Sequence, residues 1–192
     1  LLAGILLLDG RTLGFTNFEK TRLRRKKMAF DAFLKLDGIE GESQKEGHTK
    51  EIELRHWSWG GQNSGSFAVG SGGGTGKYAT QDISFSTPCS QASAKLFAAC
   101  TKGSHIGKGV ICVRKSGGDS KPYDTLKITL ENCLVSSHAH GGSSGGDDLG
   151  EDSFTINFSK VTYEYFVQDA TKGTVASTGA HSHNMATGVS AS

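Results

Sequence analysis

From Phe30 onward apolar and polar positions alternate. Phe30, Ala32, Leu34 and Leu36 share one parity with Asp31, Phe33 and Lys35 between them, the period-two pattern of a strand whose faces differ in burial. A turn-rich stretch, 37–47, follows, and Glu51 to Trp59 alternates again until Gly60-Gly61 breaks it. Regular pairing would put Ile52, Leu54, His56 and Ser58 on one face and Glu51, Glu53, Arg55, Trp57 and Trp59 on the other. Neither face is cleanly apolar, as in a wall occupied on both sides. A third strand is predicted around 78–86. The period then changes: Ala92, Leu96, Ala99 and Cys100 recur at helical spacing, predicting one helix over 89–102 with Thr87 as N-cap, Pro88 at its first position and Gly103 as C-cap.

Beyond the helix the pattern returns to strands, over 109–115, 123–136 and 153–167. In the second of these Leu126, Ile128, Leu130, Asn132 and Leu134 oppose Thr125, Lys127, Thr129, Glu131 and Cys133. In the third, parity slips from Phe154, Ile156 and Phe158 to Val161, Tyr163 and Tyr165, predicting a bulge near Ser159-Lys160. The glycine-rich stretch from Gly60 to Gly76 reads as an extended loop with too few apolar side chains for a core of its own, and Gly141 to Gly150 as a polar loop. After Gln168 the composition turns to Ala, Thr, Gly, Ser and His, which predicts a mobile tail over 169–192.

Composition supports this picture: 27 glycines against 2 prolines in 192 residues suit a strand-rich fold with many turns, in one domain able to bury a core. Charge divides the chain. Residues 1–27 hold seven Lys or Arg and two acids, a balance of +5, whereas the remaining 165 residues hold 14 basic and 17 acidic side chains, a balance of −3. The body is therefore not basic, which argues against nucleic acid as a partner. The first 27 residues run from an apolar stretch, Leu1 to Leu8, to the basic run Arg22 to Lys27. That order is the reverse of a secretory signal, and the apolar stretch is too short to span a membrane. The expectation is a non-native or misplaced leader, disordered, ahead of a start at Met28. The rival is a short arm for a membrane surface or nucleic acid.

The chemistry-bearing residues yield no catalytic constellation. Gly70 to Lys77 imitates a phosphate loop but has Ser71 where the first glycine belongs and Tyr78 where the magnesium-binding hydroxyl belongs. No nucleophile elbow occurs. Cys89, Cys100, Cys112 and Cys133 have no metal or redox spacing and read as packing thiols. His138-Ala-His140 and His181-Ser-His183 would suit a metal on strands. Both are expected in loop or tail, with no acidic or Cys partner at ligand spacing, so no metal and no cofactor are expected. Asp147, Asp148, Glu151 and Asp152 read as a solvated or calcium-attracting loop. Trp57 and Trp59 demand burial, in a core or in a subunit interface.

Ordered motifs then carry a resemblance across nearly all of residues 28–168. They are Met28-Ala-Phe-Asp-Ala-Phe-Leu-Lys-Leu36, Gly38-Ile-Glu-Gly-Glu-Ser43, His48 with Glu51-Ile-Glu53, Trp57-Ser-Trp-Gly60, Gly72-Gly-Gly-Thr-Gly-Lys77 and Gln81-Asp-Ile-Ser-Phe85. Leu96-Phe-Ala-Ala-Cys100, Arg114-Lys-Ser-Gly-Gly118, Ile128-Thr-Leu130, Leu134-Val-Ser-Ser137 and Asn157-Phe158 continue the series. In this order and spacing the chain resembles the haemolysin-coregulated protein (Hcp) family, tube proteins of the type VI secretion system.

The resemblance implies a small antiparallel β-barrel of two packed sheets with one flanking helix and a long extended loop. It implies a homo-hexameric ring, stacking of rings into a tube, and a VgrG-type spike, contractile sheath and baseplate as partners. Effector proteins would ride in the lumen, faced by Ser58, while loop residues Trp59, Phe67, Val69 and Lys77 would reach a neighbouring subunit or ring. Such a subunit is no enzyme and binds no membrane; it resides in the cytoplasm and is then secreted without a signal peptide. Family members with a fused toxic enzyme exist, but the 24 residues after Gln168 are too few for a domain. The alternative is a β-sandwich binding module, for instance for carbohydrate, using Trp57, Trp59 and the 60–77 loop. An enzyme using the histidines and loop acids is a third reading.

Overall fold

The strands expected from alternation form in a computed structural model that describes residues 30–64, 77–115, 122–143, 150–169 and 174–192. The leader 1–27, Phe67, Val69, most of the glycine-rich loop, Asp147 and Asp148 lie outside the described residues. In chain order the elements are β1 (Phe30–Leu36), β2 (Ile52–Leu54), β3 (His56–Ser58), β4 (Gly61–Asn63), β5 (Tyr78–Thr80), β6 (Ile83–Pro88) and α1 (Ala92–Lys102). Then come β7 (His105–Lys115), β8 (Tyr123–Gly141), β9 (Glu151–Gln168), β10 (Val175–Asn184) and β11 (Ser190–Ala191). The described ladders between these strands are antiparallel. Nine strands form one sheet in the order β11-β10-β9-β8-β7-β1-β2, with β6 also on β9 and β3 on β6, and β4-β5 form a separate ribbon.

The mostly β class with one helix is as expected. Barrel closure is not found among the described residues. Strand β2, at one rim, is joined to β6 by the Arg55 N–H donating to Ser86 O (2.8 Å) and the Thr87 hydroxyl donating to Glu53 O (2.7 Å), without a paired ladder between the two strands. The sheet wraps a core of Leu34, Ile52, Ile83, Ile111, Ile128, Leu130 and Ile156, with Phe85 stacked on Phe154 at 5.1 Å. Helix α1 covers part of it with Ala92, Leu96 and Ala99, the apolar stripe its spacing predicts, and burying Leu96 contributes about 2 kcal/mol. Gly103 ends the helix in the left-handed region at φ 59°, where a side chain would be strained.

The helix start differs from expectation. Thr87 and Pro88 belong to β6, opposite Asp152 and Glu151, and the helix begins after Gln91. Pro88 is tolerated there because the sheet ends at that residue, where a missing N–H costs no ladder bond.

The two facial assignments of long strands also needed correction. Ile52 and Trp57 both turn inward although their parity differs, because the chain bends at Arg55 as it leaves β1 for β6. On β8 the buried set runs Ile128, Leu130, Cys133, Val135, changing parity at Asn132, which has φ 52°. The β9 parity change between Phe158 and Val161 lies directly opposite. Both strands kink together and keep one register, joined by the Asn132 amide donating to Ser159 Oγ at 3.1 Å, so no residue is inserted at Ser159-Lys160. The register of this pair shifts instead between Val135 and Ser137. Finally, where composition predicted a mobile tail, β10 pairs along β9 and β11 along β10. Small side chains do not prevent a ladder, and the exposed edge of β9 supplies its partners.

Candidate functional site

Two cross-strand rows define the exposed face around the residue singled out from the sequence. Ser58 lies opposite Ser84, Ser84 opposite Thr155, and Thr155 opposite Ser137, crossing β3, β6, β9 and β8. The neighbouring row runs His56, Ser86, Ser153, Ala139. Directly opposed residues point to the same face, so these rows make a wall of short, mainly hydroxyl side chains. Ser58, Ser84, Ser137, Ala139 and Ser153 are exposed. Hydrogen bonds hold the hydroxyls in place: Thr155 contacts both Ser136 (2.8 Å) and Ser137 (2.6 Å), and the Asp82 carboxylate accepts from Ser136 and from the Asn157 amide at 2.7 Å.

The opposite face of these strands carries Trp57, Phe85, Phe154 and His138 in one row. Trp57 and Trp59 both pack against the core. The Trp59 indole N–H donates to Thr80 Oγ1 at 2.9 Å and its ring meets Phe158 edge-on at 6.1 Å. Trp59 is therefore anchored at the base of the β4-β5 ribbon by its own chain. Lys77 is exposed immediately before β5, at the other root of the loop whose Phe67 and Val69 are not described.

Titratable groups gather in two places, at opposite ends of β8. At its start His48, stacked on Phe33 at 4.3 Å, touches Glu51 through Nδ1 (2.7 Å) and Asp124 through Nε2 (3.0 Å), and Arg114 donates to the same Asp124 oxygen at 3.0 Å. At its end the structure overturns the loop assignment of His138 and His140. Both lie on β8, on the inner face, beside Asp152, which is fully buried; His140 Nδ1 is 2.8 Å and His138 Nε2 3.5 Å from Asp152 Oδ1. Cys89, just before α1, brings its sulfur within 4.8 Å of donor atoms of His140 and Asp152. Sequence spacing missed this set because a hairpin and the β6-α1 connection bring the residues together. The second pair, His181 and His183, lies on β10. All four cysteines are free thiols, and burial pushes Cys112 up to about 12 and Cys133 up to about 11, so both stay protonated.

This fold and face have known counterparts. The family model described as "Type VI secretion system effector, Hcp" matches residues 33–165. Protein hcp1 of Pseudomonas aeruginosa is 38% identical over 143 residues, 74% of this chain and 87% of that protein.

The chain belongs to the Hcp family.

Solved structures agree: Hcp1 from Salmonella typhimurium superposes with a TM-score of 0.67 at 29% identity, covering 85% of this chain and all of that one. A structure described as a type six secretion system protein reaches 0.78 at 27% identity with the same coverage. Hcp is a family of mostly β structural proteins of the type VI secretion system, not a family of enzymes, and its members are secreted by that machine. Strands β10 and β11 lie beyond the matched residues. Among the described residues no helix is long and apolar enough to cross a membrane.

Proposed function

We propose that this chain is a tube subunit: six copies close head-to-tail into a ring, rings stack into a hollow tube, and effector proteins travel in its lumen. Residues 28–168 carry this role. Sheath, baseplate and a VgrG-type spike are the partners within the machine, and the subunit leaves the cell with the tube without a signal peptide. It performs no catalysis and needs no cofactor for this role. The observation that carries the reading is the family match over 33–165. The exposed hydroxyl rows around Ser58 support it, since a wall of mainly short hydroxyl side chains suits passage of folded cargo of varied surface. The loop 60–77, with Trp59 and Lys77 at its roots and Phe67 and Val69 within it, is the contact to the next subunit or ring. A head-to-tail contact closes when its rotation allows, and stacking extends it into a tube. The carbohydrate-binding alternative loses its platform, because Trp57 and Trp59 are packed against the core rather than presented to solvent.

Light scattering coupled to gel filtration tests the ring. A single species near six times the 20.3 kDa chain mass is expected; a monomer at micromolar concentration would refute the proposal. Ser58→Arg should keep that mass and lose co-purifying effector. Retained effector binding would remove Ser58 from the lumen.

A further inference from the structure

The cluster at the end of β8 is incompletely satisfied. His138 Nε2 and Asp152 Oδ2 are buried polar atoms without a hydrogen-bond partner, with the His138 side chain 7% and the Asp152 side chain 0% exposed. The 3.5 Å from His138 to Asp152 is an ion-pair distance that does not qualify as a hydrogen bond. Leaving such atoms unpaired inside a protein is costly, and a native structure normally gives them a partner. A single partner that takes a lone pair from the imidazole and one from the carboxylate would satisfy both atoms. A cation does that, and the thiol and second imidazole gathered at the same carboxylate are the donors a metal ion takes and a water does not need.

The donor set and its spacing identify the cation. We infer that Cys89, His140 and Asp152 form a site for one divalent transition-metal ion of the zinc, cobalt or nickel type, with His138 beside it as the further imidazole that reaches the same Asp152 oxygen. Tetrahedral ligands at ordinary zinc distances sit roughly 3.3 Å from one another. The two His–Asp separations, 2.8 and 3.5 Å, bracket that value already. The sulfur lies within 4.8 Å of the His140 and Asp152 donors, within reach of ligand spacing by rotation of the half-buried Cys89 side chain. On binding, the Cys89 thiol proton leaves to solvent, and the neutral His140 ring gives up its Nδ1 proton and takes one at its exposed Nε2, with no net loss. One thiolate and one carboxylate then balance the two charges of the ion, and the buried site is neutral. Thiolate and imidazole donors favour these metals over magnesium and calcium. An open cleft of about 510 Å³ lined by Arg55, His140, Gly150 and Glu151 gives an entry path.

The cluster at the other end of β8 argues by contrast. His48, Cys112 and Asp124 also have donor atoms within 4.8 Å. There, however, both imidazole nitrogens face carboxylates and Arg114 already supplies the cation, so a metal has no vacant lone pair to take. Bound at the proposed site, the ion ties β8 and β9 to the connection entering α1.

Titration of the reduced full chain with Co²⁺ tests this. One equivalent per chain is expected, with a thiolate-to-cobalt charge-transfer band that Cys89→Ser abolishes. His140→Gln, at an exposed ring, weakens Co²⁺ at least about tenfold. Zn²⁺ should displace the cobalt, slow alkylation of Cys89 and raise Tm; Mg²⁺ and Ca²⁺ should do none of these. His181→Gln/His183→Gln and Cys112→Ser should keep the band. Asp152→Asn is set aside because the buried carboxylate also holds the fold. No band, a band that survives Cys89→Ser, or one lost with the β10 histidines or Cys112 would overturn the inference.

Discussion

At the start of β8 His48 has a carboxylate on each ring nitrogen, an aromatic ring on its face and an arginine completing the charge. At the end of the same strand His138 and His140 share one carboxylate and leave two buried atoms unpaired. The residue types are nearly the same. What differs is the count of partners against the count of lone pairs, and that count separates a structural staple from a place where something is missing. Arg114 makes the first cluster self-sufficient by donating to the Asp124 oxygen that His48 also reaches.

Breaking the first cluster should have the largest effect. His48→Ala removes a buried ring and leaves Glu51 and Asp124 without their shared partner, costing about 3 kcal/mol in urea unfolding. A loss under about 1 kcal/mol would mean that the cluster is not the staple described.

The next effect is a pH dependence beside it. Desolvation, with Asp124 and Glu51 adding, raises the Cys112 thiol from 9.0 to about 12 in the folded chain. Above pH 9 the unfolded chain gives up that proton while the folded chain keeps it, so stability is whole below about 9 and falls as pH rises towards 12. The slope for one group is at most about 1.4 kcal/mol per pH unit. Cys112→Ala removes it, so the stability difference between wild type and variant should shrink by about 1–2 kcal/mol from pH 9 to 11. A constant difference would contradict the assignment.

The smallest effect belongs to the second cluster without metal. His140 is half exposed, and His140→Ala in chelator-treated protein should cost about 1 kcal/mol or less. A cost equal to that of His48→Ala would erase the distinction between the two ends of β8.

Much of the fold was legible along the chain because local period and local burial agree. The strand from Phe30 to Leu36, the stripe Ala92, Leu96, Ala99 and the cap at Gly103 each rest on neighbours a few residues away. Motif order from Met28 to Phe158 was enough to suggest the family before any coordinates. The candidate face was legible only as Ser58. Its companions Ser84, Thr155 and Ser137 come from three other strands, and their alignment is a matter of register that alternation does not reveal. Parity failed at Arg55 and at Asn132 because a strand that bends or adopts positive φ exchanges its faces without any change in composition. The histidines at 138 and 140 were assigned to a loop because glycine follows them, yet β8 continues to Gly141 against β9.

The sequence by itself determined the periods of its elements, the single helix and its end, the free thiols and the family to which the chain belongs. These follow from side-chain chemistry at short range and from motif order, both written in one dimension. Tertiary structure alone decided which faces meet: the hydroxyl rows around Ser58, the inward turn of Trp57 and Trp59, the strand built from the tail, and the meeting of Cys89 with His140 and Asp152. Pairing between distant strands sets those contacts, and a shift of one residue in register would send each side chain to the opposite face.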